Sequence, residues 1–166
     1  AAAASPFDHG WMVLAVLLLM GALVLPFGLI SGFLQRPRWP ASAGQTVVVG
    51  AVSFVAPGLL EELLFRVLVL PGREEDFGWL TALSMLFVFT VVYHMDAIHR
   101  EHEVFDDWRF LCAALAIGVA CTLVYTRTGS WWLAAVVHWL PVWTWLSFFG
   151  GKERIDQTKI DQASVA

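Results

Sequence analysis

Hydrophobic positions fall along the chain in five long runs separated by short polar stretches. The runs cover about Trp11–Leu34, Thr46–Leu70, Trp79–Asp96, Phe110–Thr126 and Trp131–Phe149. Each approaches the roughly 20 apolar residues that a helix needs to cross a bilayer core at about 1.5 Å per residue. Between them lie Gln35–Gln45, Pro71–Gly78, the long polar loop Ala97–Arg109 and the tight Arg127–Ser130 turn. The pattern predicts an all-α protein, a polytopic transmembrane helix bundle of about five spans. Residues 1–45 hold an N-terminal anchor helix and linker, 46–149 a core of four membrane helices, and 150–166 a polar tail. Ala41-Ser42-Ala43 looks like a signal-peptide cleavage site. However, no basic residue precedes the first run and the run is too long, so it reads as a retained anchor.

Composition strengthens the membrane reading. Hydrophobic residues make up 58% of the chain and charged residues 14%, against about 25% charged in a soluble domain. The mean hydropathy is +0.69. Nine Trp and twelve Phe suit a chain that meets the membrane–water boundary many times. The net charge is -4 and no basic stripe exists, so nothing points to nucleic acid as a partner. Five spans place Arg73 and Arg127 on one side, and Arg36, Arg38, Arg100, Arg109, Lys152, Arg154 and Lys159 on the other. That asymmetry predicts an N-terminus outside and a cytoplasmic C-terminus. Cys112 and Cys121 are nine residues apart, about two and a half helical turns, which points them to opposite faces. No intrachain disulfide is expected, and both read as small core or lipid-facing residues.

The second run carries the candidate chemistry. In Ala56-Pro57-Gly58-Leu59-Leu60-Glu61-Glu62-Leu63-Leu64-Phe65-Arg66, three formal charges sit inside an apolar helix. Each would cost about 2.5 to 3.5 kcal/mol at mid-bilayer. Glu62 and Arg66 are four apart and can pair along one face. Glu61 is rotated from Glu62 by about 100° and cannot share that arrangement equally. One glutamate can be neutralised while the other stays available for chemistry. A purely structural Glu–Arg pair would leave the second glutamate unexplained.

His94 and His138 lie within later spans. Counting from the outer side, Glu61 lies roughly 16 Å deep, His94 roughly 24 Å and His138 roughly 12 Å. With helix tilt, all three can meet in one layer of a bundle. A glutamate beside histidine in a dry cavity is suited to taking a proton from water. A second histidine can stabilise an oxyanion.

These residues resemble the CPBP family, the CAAX proteases and bacteriocin-processing enzymes also called abortive-infection-like proteins. The resemblance covers about Thr46 to Phe149. The family motif Glu-Glu-x-x-x-Arg matches Glu61-Glu62-Leu63-Leu64-Phe65-Arg66. Its Phe-x-x-x-His motif is met by His94, with Thr90 at the phenylalanine position and Phe89 beside it. Tyr125-Thr126-Arg127-Thr128-Gly129-Ser130 leading to His138 is similar to the third motif. The resemblance implies a catalytic core over 46–149 and an intramembrane peptidase of the glutamic type. In it Glu61 would activate water with help from His94, Glu62 and Arg66 would support the site, and His138 would stabilise the oxyanion. It implies no cofactor and no obligatory metal. Its partners would be the lipid bilayer and a peptide or protein substrate, in a bacterial inner membrane or another energy-transducing membrane. Where the family usually places asparagine, four residues after the last histidine, this chain has Val142. Losing one oxyanion donor can cost about 100- to 1000-fold in rate.

Other readings compete. A non-catalytic subunit or assembly protein of a larger membrane complex fits Val142, the short chain and the aromatic faces. A haem- or pigment-binding bundle would use His94 and His138 as axial ligands, but it gives Glu61, Glu62 and Arg66 nothing to do. His99 and His102, three apart in the acidic loop, could ligate a metal, though such loops are usually just solvated. Trp131, Trp132, Trp139, Trp143 and Trp145 read most simply as interface anchors and lipid-facing bulk.

Overall fold

Among the described residues four helices carry the architecture, and many of their large apolar side chains face outward. In the computed structural model, residues 10–40, 42–68 and 103–156 are described. The third predicted span with His94, and the loop histidines His99 and His102, lie outside the described residues. Helix α1 runs Gly10–Ile30, α2 Ala43–Leu68, α3 Trp108–Thr128 and α4 Trp131–Phe148. Among the described residues there is no strand. The chain is all-helical, and α1, α2 and α3 are long and apolar enough to cross a membrane. The fifth predicted run forms α4, where tryptophans, His138 and Pro141 dilute the aliphatic residues.

Leu18, Leu19 and Leu23 of α1 and Val47, Val48, Val52 and Leu60 of α2 are exposed, whereas Glu62, Arg66 and His138 are buried. A water-soluble domain shows the reverse. Lipid can solvate leucine, but an ionised group needs a protein partner.

Short polar side chains set the helix ends. Ser42 accepts a hydrogen bond from the Gln45 amide and starts α2. Asp107 accepts from the Arg109 amide and starts α3. α3 ends at Gly129, whose φ of 67° is the left-handed conformation glycine adopts at little cost. Ser130 then caps α4, accepting from the Leu133 amide. This short turn forces α3 and α4 into an antiparallel hairpin. Its seam is Ile117, Ala120, Cys121 and Val124 against Ala134 and Val137, with Val13 and Met20 of α1 closing the cluster. The small residues allow the close backbone approach that membrane helices use in place of hydrophobic drive.

α2 is broken where the sequence places proline. Ala56, at φ -135° and ψ 107°, is extended, as the residue before a proline prefers. Wide π-type turns flank the acidic pair at 54–59 and 63–68. Such turns are frequently found at functional sites. Gly58 lets the broken segment lie against α4, since a Cβ there would stand 3.2 Å from the Ser53 carbonyl oxygen and 3.4 Å from Trp139 Cβ.

Trp139 and Trp143 do not serve as the lipid-facing bulk expected of them. They stack at 5.2 Å and donate to the carbonyls of Gly50 (2.9 Å) and Thr46 (3.1 Å), stapling α4 to α2. Trp145 turns inward and stacks on Phe33 at 5.5 Å. For Trp139 and Trp143 the reason is the indole N–H, which needs an acceptor and finds one on a neighbouring helix. Trp132 remains exposed, as an anchor should.

One end of the bundle is tied by a polar knot. Arg109 pairs with Asp107 at 2.6 Å and donates to the Ser31 carbonyl at 2.8 Å. Arg154, from the short helix over 151–156, donates to the Gly32 carbonyl at 2.8 Å and lies over the Phe33 ring. The hydrogen bond from Arg109 holds the Asp107 carboxyl below its ordinary value of 3.8. Because the folded-state pKa is lowered, this stabilisation is present above 3.8 and is lost as pH falls through the lowered value. Thermal unfolding of the wild type is therefore expected to weaken more steeply on acidification below that point than unfolding of Asp107→Asn. Parallel pH profiles for the two proteins would show that the knot does not contribute.

Candidate functional site

Among the described residues, three helices deliver the candidate site. α2 supplies Glu61, Glu62 and Arg66, α3 a backbone carbonyl and a thiol, and α4 His138. Glu62 is wholly buried, with one oxygen 3.1 Å from Arg66 Nε and the other 2.7 Å from His138 Nδ1. Arg66 Nη2 also donates to the Gly118 carbonyl at 3.0 Å. The pairing predicted from the four-residue spacing is present, and Arg66 and His138 each touch a different oxygen of Glu62. Buried ions of opposite sign held this way offset much of the cost of leaving water. Removing either one leaves an uncompensated charge.

Glu61 behaves differently. Its side chain is 28% exposed, and its Oε2 lies 3.9 Å from His138 Nε2. That separation is too long for a direct hydrogen bond, but one water can bridge such a gap. The two imidazole nitrogens therefore face two different carboxylates. With Glu62 ionised, His138 donates its Nδ1 proton to it, and the neutral ring presents an acceptor at Nε2. Nε2 becomes a donor when the ring carries a second proton.

Glu61 and His138 share the wall of a cavity of about 1090 Å³. Its other described lining is almost wholly apolar, including Met20, Val24, Leu60, Leu64, Ile117 and Val142. Val142 also packs against the central cluster and brings no hydrogen-bond donor. Thr144 lines the cavity too, but its hydroxyl donates to the Leu140 carbonyl at 2.6 Å within its own helix. The asparagine that the resemblance led one to expect thus has no polar replacement at Val142.

Of the five residues singled out from the sequence, Glu61, Glu62, Arg66 and His138 come together, and His94 lies outside the described residues. Two further groups adjoin this cluster and were not anticipated. Gly118 offers its carbonyl to Arg66 at 3.0 Å. Cys121, wholly buried, turns its sulfur toward Glu62 and His138, and the three ligating atoms lie within 4.8 Å of one another. Cys112 is exposed, and neither cysteine is in a disulfide, as the nine-residue spacing predicted.

The sequence model of the Type II CAAX prenyl endopeptidase Rce1-like family matches residues 43–144, from the start of α2 through most of α4. None of the curated proteins and none of the solved structures matches the chain. The matched stretch is well over half of the chain, spans all the described site residues, and agrees with the membrane-embedded helices that hold them. The chain belongs to the Type II CAAX prenyl endopeptidase Rce1-like family of membrane-embedded proteases.

Proposed function

We propose that this protein is a peptidase that hydrolyses a membrane-proximal peptide bond with water activated by Glu61. The observation that carries the reading is the division of labour between adjacent glutamates. Glu62 is committed to Arg66 and His138, while Glu61 reaches the cavity and stands 3.9 Å from His138 Nε2.

In this mechanism a water bound between Glu61 and His138 loses a proton to the Glu61 carboxylate as its oxygen attacks the scissile carbonyl. The carbonyl oxygen becomes an oxyanion, and protonated His138 donates to it through Nε2. Glu62 holds the ring by Nδ1. Collapse of the intermediate breaks the C–N bond. The proton taken by Glu61 passes to the leaving nitrogen, giving a carboxylic acid and an amine, and the acid's proton then moves to the amine to leave a carboxylate and an ammonium group. His94 is proposed to assist Glu61, on the family resemblance.

The apolar cavity beside the pair suits a peptide that carries a bulky apolar group, and the family's name makes a prenylated peptide the first substrate to try. Purified protein in lipid nanodiscs is expected to cleave such a peptide, and His138→Ala to lower kcat by about 100- to 1000-fold. Unchanged turnover in His138→Ala would remove the oxyanion role. Val142 supports a second reading, a non-catalytic membrane subunit that keeps the family scaffold. In that case wild type and His138→Ala would be equally inert, and the wild type would copurify with a stoichiometric partner.

A further inference from the structure

Nothing in the hydrolytic scheme requires a thiol, yet Cys121 occupies the inner wall of the site. Its sulfur lies 3.5 Å from the Ala134 carbonyl and also stands in hydrogen-bonding contact with Glu62. Glu62, Cys121 and His138 are all buried, come from three different helices, and each offer one ligating atom within 4.8 Å of the other two. A carboxylate oxygen, a thiolate sulfur and an imidazole nitrogen form a donor set that suits Zn²⁺ and disfavours Mg²⁺ or Ca²⁺.

We propose that Glu62, Cys121 and His138 form an inhibitory site for Zn²⁺, in which the ion replaces the hydrogen bond between Glu62 and His138. Ligands at about 2.0 to 2.3 Å from a tetrahedral ion stand roughly 3.3 to 3.8 Å apart. The 2.7 Å contact between His138 Nδ1 and Glu62 must therefore open by roughly 0.6 Å. The three ligating atoms lie within 4.8 Å of one another, so any separation beyond that tetrahedral range must close as the ion enters. Water takes the fourth place. One Zn²⁺ enters and the thiol proton leaves, so the site gains one positive charge beside Arg66. That repulsion makes the site a reversible inhibitory one rather than a tight structural one. With the ion on Nδ1, the ring loses its contact with Glu62 and cannot carry protons on both nitrogens, so it cannot serve as the charged donor to the oxyanion.

The experiment uses full-length protein in detergent and titrates it with Co²⁺, whose bond to a thiolate gives a sulfur-to-metal charge-transfer band. The band should appear, reach its maximum at one equivalent, disappear on adding Zn²⁺, persist in Cys112→Ala and be absent from Cys121→Ala. Cys121→Ser, which keeps the side-chain volume, should also lack the band while unfolding at the wild-type temperature. Histidines elsewhere carry no sulfur and cannot produce this signal. No band in the wild type, or a band that survives Cys121→Ala or vanishes in Cys112→Ala, would overturn the site. In the peptidase assay, Cys121→Ala should keep the metal-free rate and raise the half-inhibitory Zn²⁺ concentration by at least about tenfold. Equal Zn²⁺ sensitivity of the two proteins would overturn the inhibitory role. Because the absorption band is read without substrate, it decides the metal site even if the peptidase reading fails.

Discussion

Glu62→Ala is expected to destabilise the folded protein by about 3 to 5 kcal/mol, the usual cost of leaving a buried ion without its partner. The substitution strips a carboxylate that is wholly buried and contacts Arg66 at 3.1 Å and His138 at 2.7 Å. Arg66 keeps the Gly118 carbonyl but loses the carboxylate that faces its Nε. The check is reversible unfolding in mixed micelles, run with Arg66→Met and the double substitution Glu62→Ala with Arg66→Met. The single changes should be costly and the double change markedly less costly than their sum, because it removes both charges together. Additive effects, or a Glu62→Ala protein as stable as the wild type, would mean that the pair does not hold the bundle.

Glu61→Gln should do the opposite, leaving stability nearly intact and removing activity. The side chain is 28% exposed at the cavity wall, and glutamine keeps its shape. A stability change within about 0.5 kcal/mol is expected. Hydrolysis should fall by about 100- to 10,000-fold, the usual contribution of a positioned general base. The measurement is initial rate on a cleavable membrane peptide beside an unfolding curve for the same preparation. A Glu61→Gln enzyme within about twofold of the wild-type rate would exclude Glu61 as the base.

The contrast between these neighbours was legible in the sequence because it rests on helix geometry. Four residues bring Glu62 over Arg66, and one residue turns Glu61 away by about 100°. Hydrophobic run lengths likewise placed α1, α2, α3 and α4, and the Gly129-Ser130 turn marked the hairpin. Which nitrogen of His138 meets which glutamate was not legible. It depends on the break at Ala56 and the wide turns around it, which change the phase of α2 against α4. The nine-residue spacing put Cys112 and Cys121 on opposite faces, but no local rule says which face meets Glu62. Trp139 and Trp143 look like membrane anchors in any window of sequence. Their acceptors, Gly50 and Thr46, lie nearly a hundred residues away. The described part of the polar tail was missed for a similar reason. Ile155 joins the aromatic cluster around Phe33, and Arg154 ties that end of the bundle, through contacts that exist only once α1 and α4 are in place.

Water attack directed by Glu61 is tested most directly by a single turnover in ¹⁸O-enriched water, with enzyme in excess over peptide and the new carboxylate weighed by mass spectrometry. Direct attack by activated water places one ¹⁸O in the product of that first turnover. An unlabelled product, with the heavy oxygen found instead in Glu61, would mean that the glutamate itself attacks the carbonyl and would contradict the mechanism.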